Sequence, residues 1–349
     1  MGTLRDYINW RGDLEFWQDG FNTIDNLVLS CLSYLELDEV FSDEGPQTLS
    51  IGDISKIYFD KVYPTKTFRD GSILKDAPLT LRAISDSNRY KNIRIRNYVS
   101  KTEVNRTLQF AAMEFLLPDG TSYVAYRGTD DSIVGWKEDF MLAISEVEAE
   151  KEAVGYLNII AKDNDRLLRV GGHSKGGHLA VYASAKCDKP IRERILNIYS
   201  NDGPGFMHKI ASSKAIADIV PKIVSIIPEE SVVGLLMEPV AKPIVVKSTA
   251  IAVAQHNLAT WQLEGKTLET VKGVAKSAQV LDAFIKENIS KMSEEETEEF
   301  VDDLFGIFEA TGALTLTELK NGGLKGIQAI SKKATEIYKE KKSKNISSK

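Results

Sequence analysis

Val170-Gly171-Gly172-His173-Ser174-Lys175-Gly176-Gly177 lies between two runs of opposite character. Before it, RLLRV (166–170) is short, apolar and bounded by glycines, which reads as a strand. The stretch KGGHLAVYASAK (175–186) reads as a helix. A Gly-x-Ser-x-Gly motif, Gly172 to Gly176, therefore sits on a strand-to-helix turn, the context a nucleophile elbow requires. Glycines two before and two after the serine let the chain cross itself without Cβ clashes. The first turn of the following helix aims N–H groups and a partial positive charge at the reaction centre. Other glycine-loop readings fail, since neither Gly-x-x-x-x-Gly-Lys-Ser/Thr nor Gly-x-Gly-x-x-Gly is present here. The elbow predicts Ser174 as a nucleophile.

Outward from the elbow, strands and helices alternate. TLQFAAMEFLL (107–117) and TSYVAYR (121–127) read as strands joined by a tight turn at Pro118-Asp119-Gly120. A helix is expected from Trp136 to about Ala161. ILNIYS (195–200), KIVSII (222–227) and IVVKSTA (244–250) are further β-branched runs. This alternation predicts an α/β fold, a mainly parallel sheet covered by helices on both faces. Nearer the start, Ile24, Leu27, Val28, Cys31, Leu32 and Leu35 share one face of a helix with Asn22 as its N-cap. Residues 42–76 are turn-rich and give no clear elements.

A serine hydroxyl needs a base, and the chain has four histidines. His173 is adjacent to the serine, and its side chain is expected to point elsewhere. His178 lies one turn into the next helix, behind the serine. His208 follows the Gly-Pro-Gly-Phe turn. His256, after the last strand, fits the order Ser, acid, His with a strand end to stand on. For the acid, Asp202 ends the strand ILNIYS and Glu230 follows the next one. Asp202 is favoured, and Glu230 stays as the alternative. Acyl transfer also needs donors for a developing oxyanion. The N–H of Lys175 is one. Thr129, ending the strand TSYVAYR in Arg127-Gly128-Thr129, is the expected second.

Composition narrows the partners. In 349 residues, 44 Lys+Arg stand against 50 Asp+Glu, a net charge of −6. An acidic chain has no electrostatic reason to seek a phosphate backbone, so no nucleic acid is expected. Cys31 and Cys187 give neither a disulfide framework nor metal spacing, and a reducing, cytoplasmic compartment is expected. No metal and no cofactor are expected. The most apolar stretch, Val232 to Val246, is broken by Glu238, Pro239, Lys242 and Pro243, so no span is expected, and the polar first residues carry no signal-peptide pattern.

Residues 1–265 are read as one α/β domain and 266–349 as a helical extension. The extension has an amphipathic helix through Val271, Val274, Ala278 and Leu281, and a capping box at Ser293 and Glu296. It ends in a basic tail with seven Lys against two Glu. That tail is expected to be solvated, with peripheral contact to an acidic lipid surface as the alternative. The oligomeric state is not encoded legibly.

Tyr126-Arg127-Gly128-Thr129, with Trp136 and Asp139, and Gly-His-Ser-Lys-Gly-Gly at 172–177 resemble the class 3 lipase branch of the α/β-hydrolases. More closely, the chain is similar to a bacterial Mbeg-like family of unknown function. The matching pieces are residues 9–35, GHSKGGHLAVYA (172–183), YSNDGPGF (199–206), IIPEESVVGLL (226–236), VVKS (245–248) and QHNLATW (255–261). The resemblance implies Ser174 as nucleophile, His256 as base and Thr129 as an oxyanion residue. It departs at Lys175, where the lipase signature has Leu, and at Glu230, where the lipase acid is expected. The expectation is a serine hydrolase of carboxylic esters. A thioesterase, a peptidase or a silent scaffold is the alternative. Lys175 and Lys247 are two residues that would attract an anionic head group.

Overall fold

A computed structural model describes residues 2–42, 47–68, 70–103, 108–129, 147–162, 164–276 and 278–279. An eight-stranded sheet runs in chain order: β1 (Thr48–Ser50), β2 (Arg94–Glu103), β3 (Leu108–Leu116), β4 (Ser122–Tyr126), β5 (Leu168–His173), β6 (Ile195–Asn201), β7 (Ile223–Pro228) and β8 (Ile244–Val246). From β4 to β8 every pairing is parallel, while β1 to β4 pair antiparallel.

Both faces of the sheet are covered, and the two-residue period of the strands sorts the cores. On β4, Tyr123 and Ala125 join one apolar cluster while Val124 and Tyr126 join the other. The first cluster holds Ile24, Leu27 and Val28 of helix α2 (Thr23–Leu32) and Leu81 of helix α4 (Ile73–Ile84). The second holds Ala153 and Leu157 of α5 (Glu148–Lys162) and Leu179 and Val181 of α6 (Lys175–Lys186), with α1 (Leu4–Arg11) and α3 (Ile51–Ile57) on the first side. Burying about 25 cal/mol per Å² of apolar surface on both faces is what a parallel sheet requires. This sheet, with its helices and its strand–turn–helix unit at β5–α6, is an α/β-hydrolase fold.

The α2 helix and its cap fall where expected: the Asn22 side chain accepts from Ile24 N at 2.8 Å. The helix expected from Trp136 starts at Glu148, and residues 130–146, with Trp136 and Asp139, lie outside the described residues. The turn-rich stretch 42–76 contains β1, α3 and the start of α4. Strand β2 was not anticipated. A bulge at Asn97, with φ 53°, interrupts its register between Arg96 and Val99.

Hydrogen bonding to the sheet continues past residue 265. A hairpin of β9 (Leu263–Glu264) and β10 (Thr267–Leu268) crosses that position, and Val271 N donates to Val245 O at 2.9 Å. The helix anticipated through Val271 and Val274 is not helical over residues 271–275, where the chain instead follows β8; Ala278 is buried, and the rest of the anticipated helices, beyond residue 279, lies outside the described residues. Among the described residues, no helix is long and apolar enough to cross a membrane.

Candidate active site

Ser174 sits between β5 and α6 with φ 58° and ψ −132°. A non-glycine residue there costs about 1–3 kcal/mol, held only because its surroundings dictate it. They do. Ser174 N donates to Asn201 O at 3.0 Å, and Gly177 N donates to Ser174 O at 2.8 Å. The crossing leaves no room for a side chain on either flanking glycine. A Cβ on Gly172 would stand 2.4 Å from Gly176 C, and one on Gly176 would stand 2.1 Å from Tyr126 O.

A buried amide network supports the elbow from below. The Asn201 side chain donates to Gly172 O at 2.9 Å and to Ser30 Oγ at 3.0 Å, and Asn26 Nδ2 donates to Asn201 Oδ1 at 2.9 Å. Tyr123 Oη donates to Asn26 Oδ1 at 2.7 Å. All four side chains are fully buried, so each lost partner leaves an unsatisfied polar group. Residues of α2 thus hold the ends of β5 and β6.

Asp202 follows β6 directly, buried, with φ 50°. Its Oδ2 accepts from His256 Nδ1 at 2.7 Å, and its Oδ1 accepts from Ser231 Oγ at 2.5 Å and Gly234 N at 3.2 Å. The carboxylate therefore meets the imidazole with one oxygen and is fixed by two donors on the other. Glu230 takes a different place. It accepts from Ala252 N at 2.5 Å and Gln255 Nε2 at 3.1 Å, while Glu230 N donates to Gln255 Oε1 at 3.0 Å. It grips the segment that carries His256, not the imidazole.

That segment is the 3-10 turn Ala252–His256. It is anchored at successive residues by separate elements. Gln255 is held by Glu230 and by Trp261 Nε1, which donates to its carbonyl at 2.8 Å. The carbonyl of His256 accepts from His173 Nε2 at 2.6 Å. Asn257 Nδ2 donates to Gly71 O at 3.1 Å and Asp76 Oδ2 at 2.6 Å. Four residues of the Gln-His-Asn-Leu-Ala-Thr-Trp stretch, Gln255, His256, Asn257 and Trp261, are thus tied to the surrounding fold.

Ser174 and His256 come to the same end of the sheet: the ring of His173, next to the serine, lies 4.4 Å from the ring of His256. Burial, and then the neighbouring His256, push the His173 imidazole well below the usual histidine range. The remaining histidines serve elsewhere. His178 is buried, with Nε2 2.9 Å from Glu150 Oε1 and Nδ1 donating to Gly205 O at 2.9 Å. His208 is exposed and 2.9 Å from Glu238.

Thr129 is buried, three residues past β4. The chain leaving β4 runs against the elbow: a Cβ on Gly128 would stand 2.5 Å from His173 O and 3.0 Å from Ser174 Cβ. Lys175 opens α6, where main-chain N–H groups lack helical acceptors. Its side chain is buried, and Nζ donates to Gln109 O at 3.2 Å, while Lys247 pairs with Glu269. Both lysines expected to meet an anionic head group are thus engaged within the fold. Cys31 and Cys187 are free thiols and buried, which raises both; Cys187 reaches about 11. Among the described residues there is no cluster of His, Cys, Asp and Glu suited to a metal ion.

The sequence singled out Ser174, Asp202 and His256 as candidates from strand ends and turns, with Glu230 as the alternative acid. It missed Asn26, Asn201 and the contact of His173 with the His256 carbonyl, whose partners lie far off in sequence. The native Rhizomucor miehei lipase–propeptide complex is similar at 13% identity and a TM-score of 0.38, covering 71% of this chain and 83% of that one. A fungal lipase–inhibitor complex, described as a model for interfacial activation, is similar at 16% identity and a TM-score of 0.39, covering 64% and 77%. No curated protein matches the chain by sequence. A family model, Mbeg1-like, matches residues 84–306, and the chain belongs to that family.

Proposed function

We propose that the protein is a serine hydrolase of carboxylic esters, with Ser174 as nucleophile, His256 as base and Asp202 as the acid that orients it. The observation that supports this most is the 2.7 Å hydrogen bond from His256 Nδ1 to Asp202, beside a serine at a strained strand-to-helix turn. With Nδ1 committed to the carboxylate, Nε2 is left to take a proton.

In the proposed reaction, Ser174 Oγ forms a bond to the ester carbonyl carbon while His256 Nε2 accepts the hydroxyl proton. The N–H groups of Lys175 and Thr129 stabilise the oxyanion, each worth roughly a hundredfold or more in rate. The carbon–alkoxy bond breaks, and the imidazolium returns its proton to the leaving alcohol. Water, deprotonated by His256, then cleaves the acyl-serine and restores the hydroxyl. A cytoplasmic setting belongs to the same proposal, with the basic tail solvated.

A panel of p-nitrophenyl esters of increasing chain length tests it. Wild type should turn over at least one ester, and Ser174→Ala should lower kcat by about 10⁶-fold, to near background. Thioesters or peptides cleaved in place of every ester would move the substrate class. Turnover that survives Ser174→Ala undiminished would refute the assignment.

A further inference from the structure

We propose that His173 is a positioning residue for the base: its Nε2–H holds the backbone carbonyl of His256 and fixes it against both the elbow and the loop that carries Thr129. This rests on the hydrolase reading above.

The hydrogen-bond partners assign the ring. A carbonyl can only accept, so the 2.6 Å contact between His173 Nε2 and His256 O puts the proton on Nε2. In the neutral ring Nδ1 is then an acceptor, and Tyr34 Oη donates to it at 2.8 Å. Both nitrogens are spent, which removes His173 as a second base. The side chain is buried, and burial together with His256 disfavours its charged form. A neighbouring imidazole can therefore take up a proton without facing a second cation 4.4 Å away.

The same pair touches the third part of the site. A Cβ on Gly128 would stand 2.3 Å from Tyr34 Oη and 2.5 Å from His173 O. Tyr34, two residues past α2, thus meets the loop before Thr129 and the ring that grips His256. The turn bearing His256 is short, five residues beginning at Ala252 with φ 51°. A general base works within about 2.6–3.2 Å of its proton, and a misplacement of about 1 Å costs roughly a hundredfold. His173 is placed to prevent that shift.

The test compares His173→Gln, which keeps an N–H donor, with His173→Leu, which does not, using kcat and KM on the best p-nitrophenyl ester, with thermal unfolding of each. His173→Leu should lose roughly ten- to a hundredfold in kcat with KM nearly unchanged, and His173→Gln should recover most of it. A folded His173→Leu with full kcat, or a His173→Gln no better than it, overturns the proposal. Should His173→Leu fail to fold, ¹⁵N NMR of the wild-type histidines decides. An Nε2–H ring that does not titrate from about pH 5 to about pH 8 upholds the proposal, and a titrating or Nδ1–H ring overturns it. A wild type inert to every ester fails the hydrolase reading instead. An active wild type with an equally active His173→Leu fails this one alone.

Discussion

Asp202 and Glu230 stand at the carboxyl ends of adjacent parallel strands, one past β6 and the other two residues past β7. Both reach the 252–257 segment, yet they do different things there. Asp202 is fully buried and meets the His256 imidazole, while Glu230 is half-buried and meets the main chain of Ala252 and the amide of Gln255. Place in the topology is therefore not enough to assign a carboxylate its role. What decides it is the donor that the returning loop presents. One acid is set to orient a ring, and the other holds the loop that brings the ring.

The sharpest way to break this comparison is to neutralise each acid separately. Asp202→Asn keeps the shape but can hold the imidazole in the wrong tautomer, and should cut kcat by about 10³–10⁴-fold. Glu230→Gln keeps an acceptor for Ala252 N, so kcat should fall by less than about tenfold. The chief effect should be a loss of about 1–2 kcal/mol in stability, from weaker charge-assisted hydrogen bonds. Equal kinetic losses in the two variants would erase the distinction. Kinetics and urea melts on both variants measure it.

Gly128→Ala should come next. Its Cβ would stand 2.3 Å from Tyr34 Oη and 2.5 Å from a carbonyl of the elbow, so the 127–129 loop must move. A loss of about 1–3 kcal/mol is expected by thermal unfolding. Unchanged stability and rate would separate this loop from the site.

The smallest effect is in pH. His173 stays neutral in the folded protein, whereas in the unfolded chain it titrates near pH 6.5. Above that pH neither state binds the proton, and its contribution to stability is fully present. As pH falls below about 6.5, the unfolded chain gains a proton that the folded ring refuses. Stability should then drop by up to about 1.4 kcal/mol per pH unit. His173→Gln should flatten that part of the curve, measured by denaturant unfolding at stepped pH. An identical slope in the two proteins would mean that the ring is already charged when folded.

Much of this molecule was legible as local pattern. Strands β3 to β8, helix α6 and helix α2 with its Asn22 cap all declare themselves within a window of a dozen residues. So does the elbow, since its glycines answer a local crossing of the chain. Strand β2 did not, because RIRNYVSKTE alternates weakly and a bulge at Asn97 breaks its period. The preference for Asp202 over Glu230 rested on thin ground for a different reason. Both are turn acids after strands, and their donors come from 54 and 25 residues away. The clamp by His173 is more remote still, with partners 139 and 83 residues off.

Intact-protein mass spectrometry after exposure to a fluorophosphonate tests the central claim most directly. The account predicts one covalent adduct, mapped by peptide sequencing to Ser174, abolished in Ser174→Ala and slowed roughly a thousandfold in Asp202→Asn. An adduct at another residue, or none on folded wild-type protein, would contradict it.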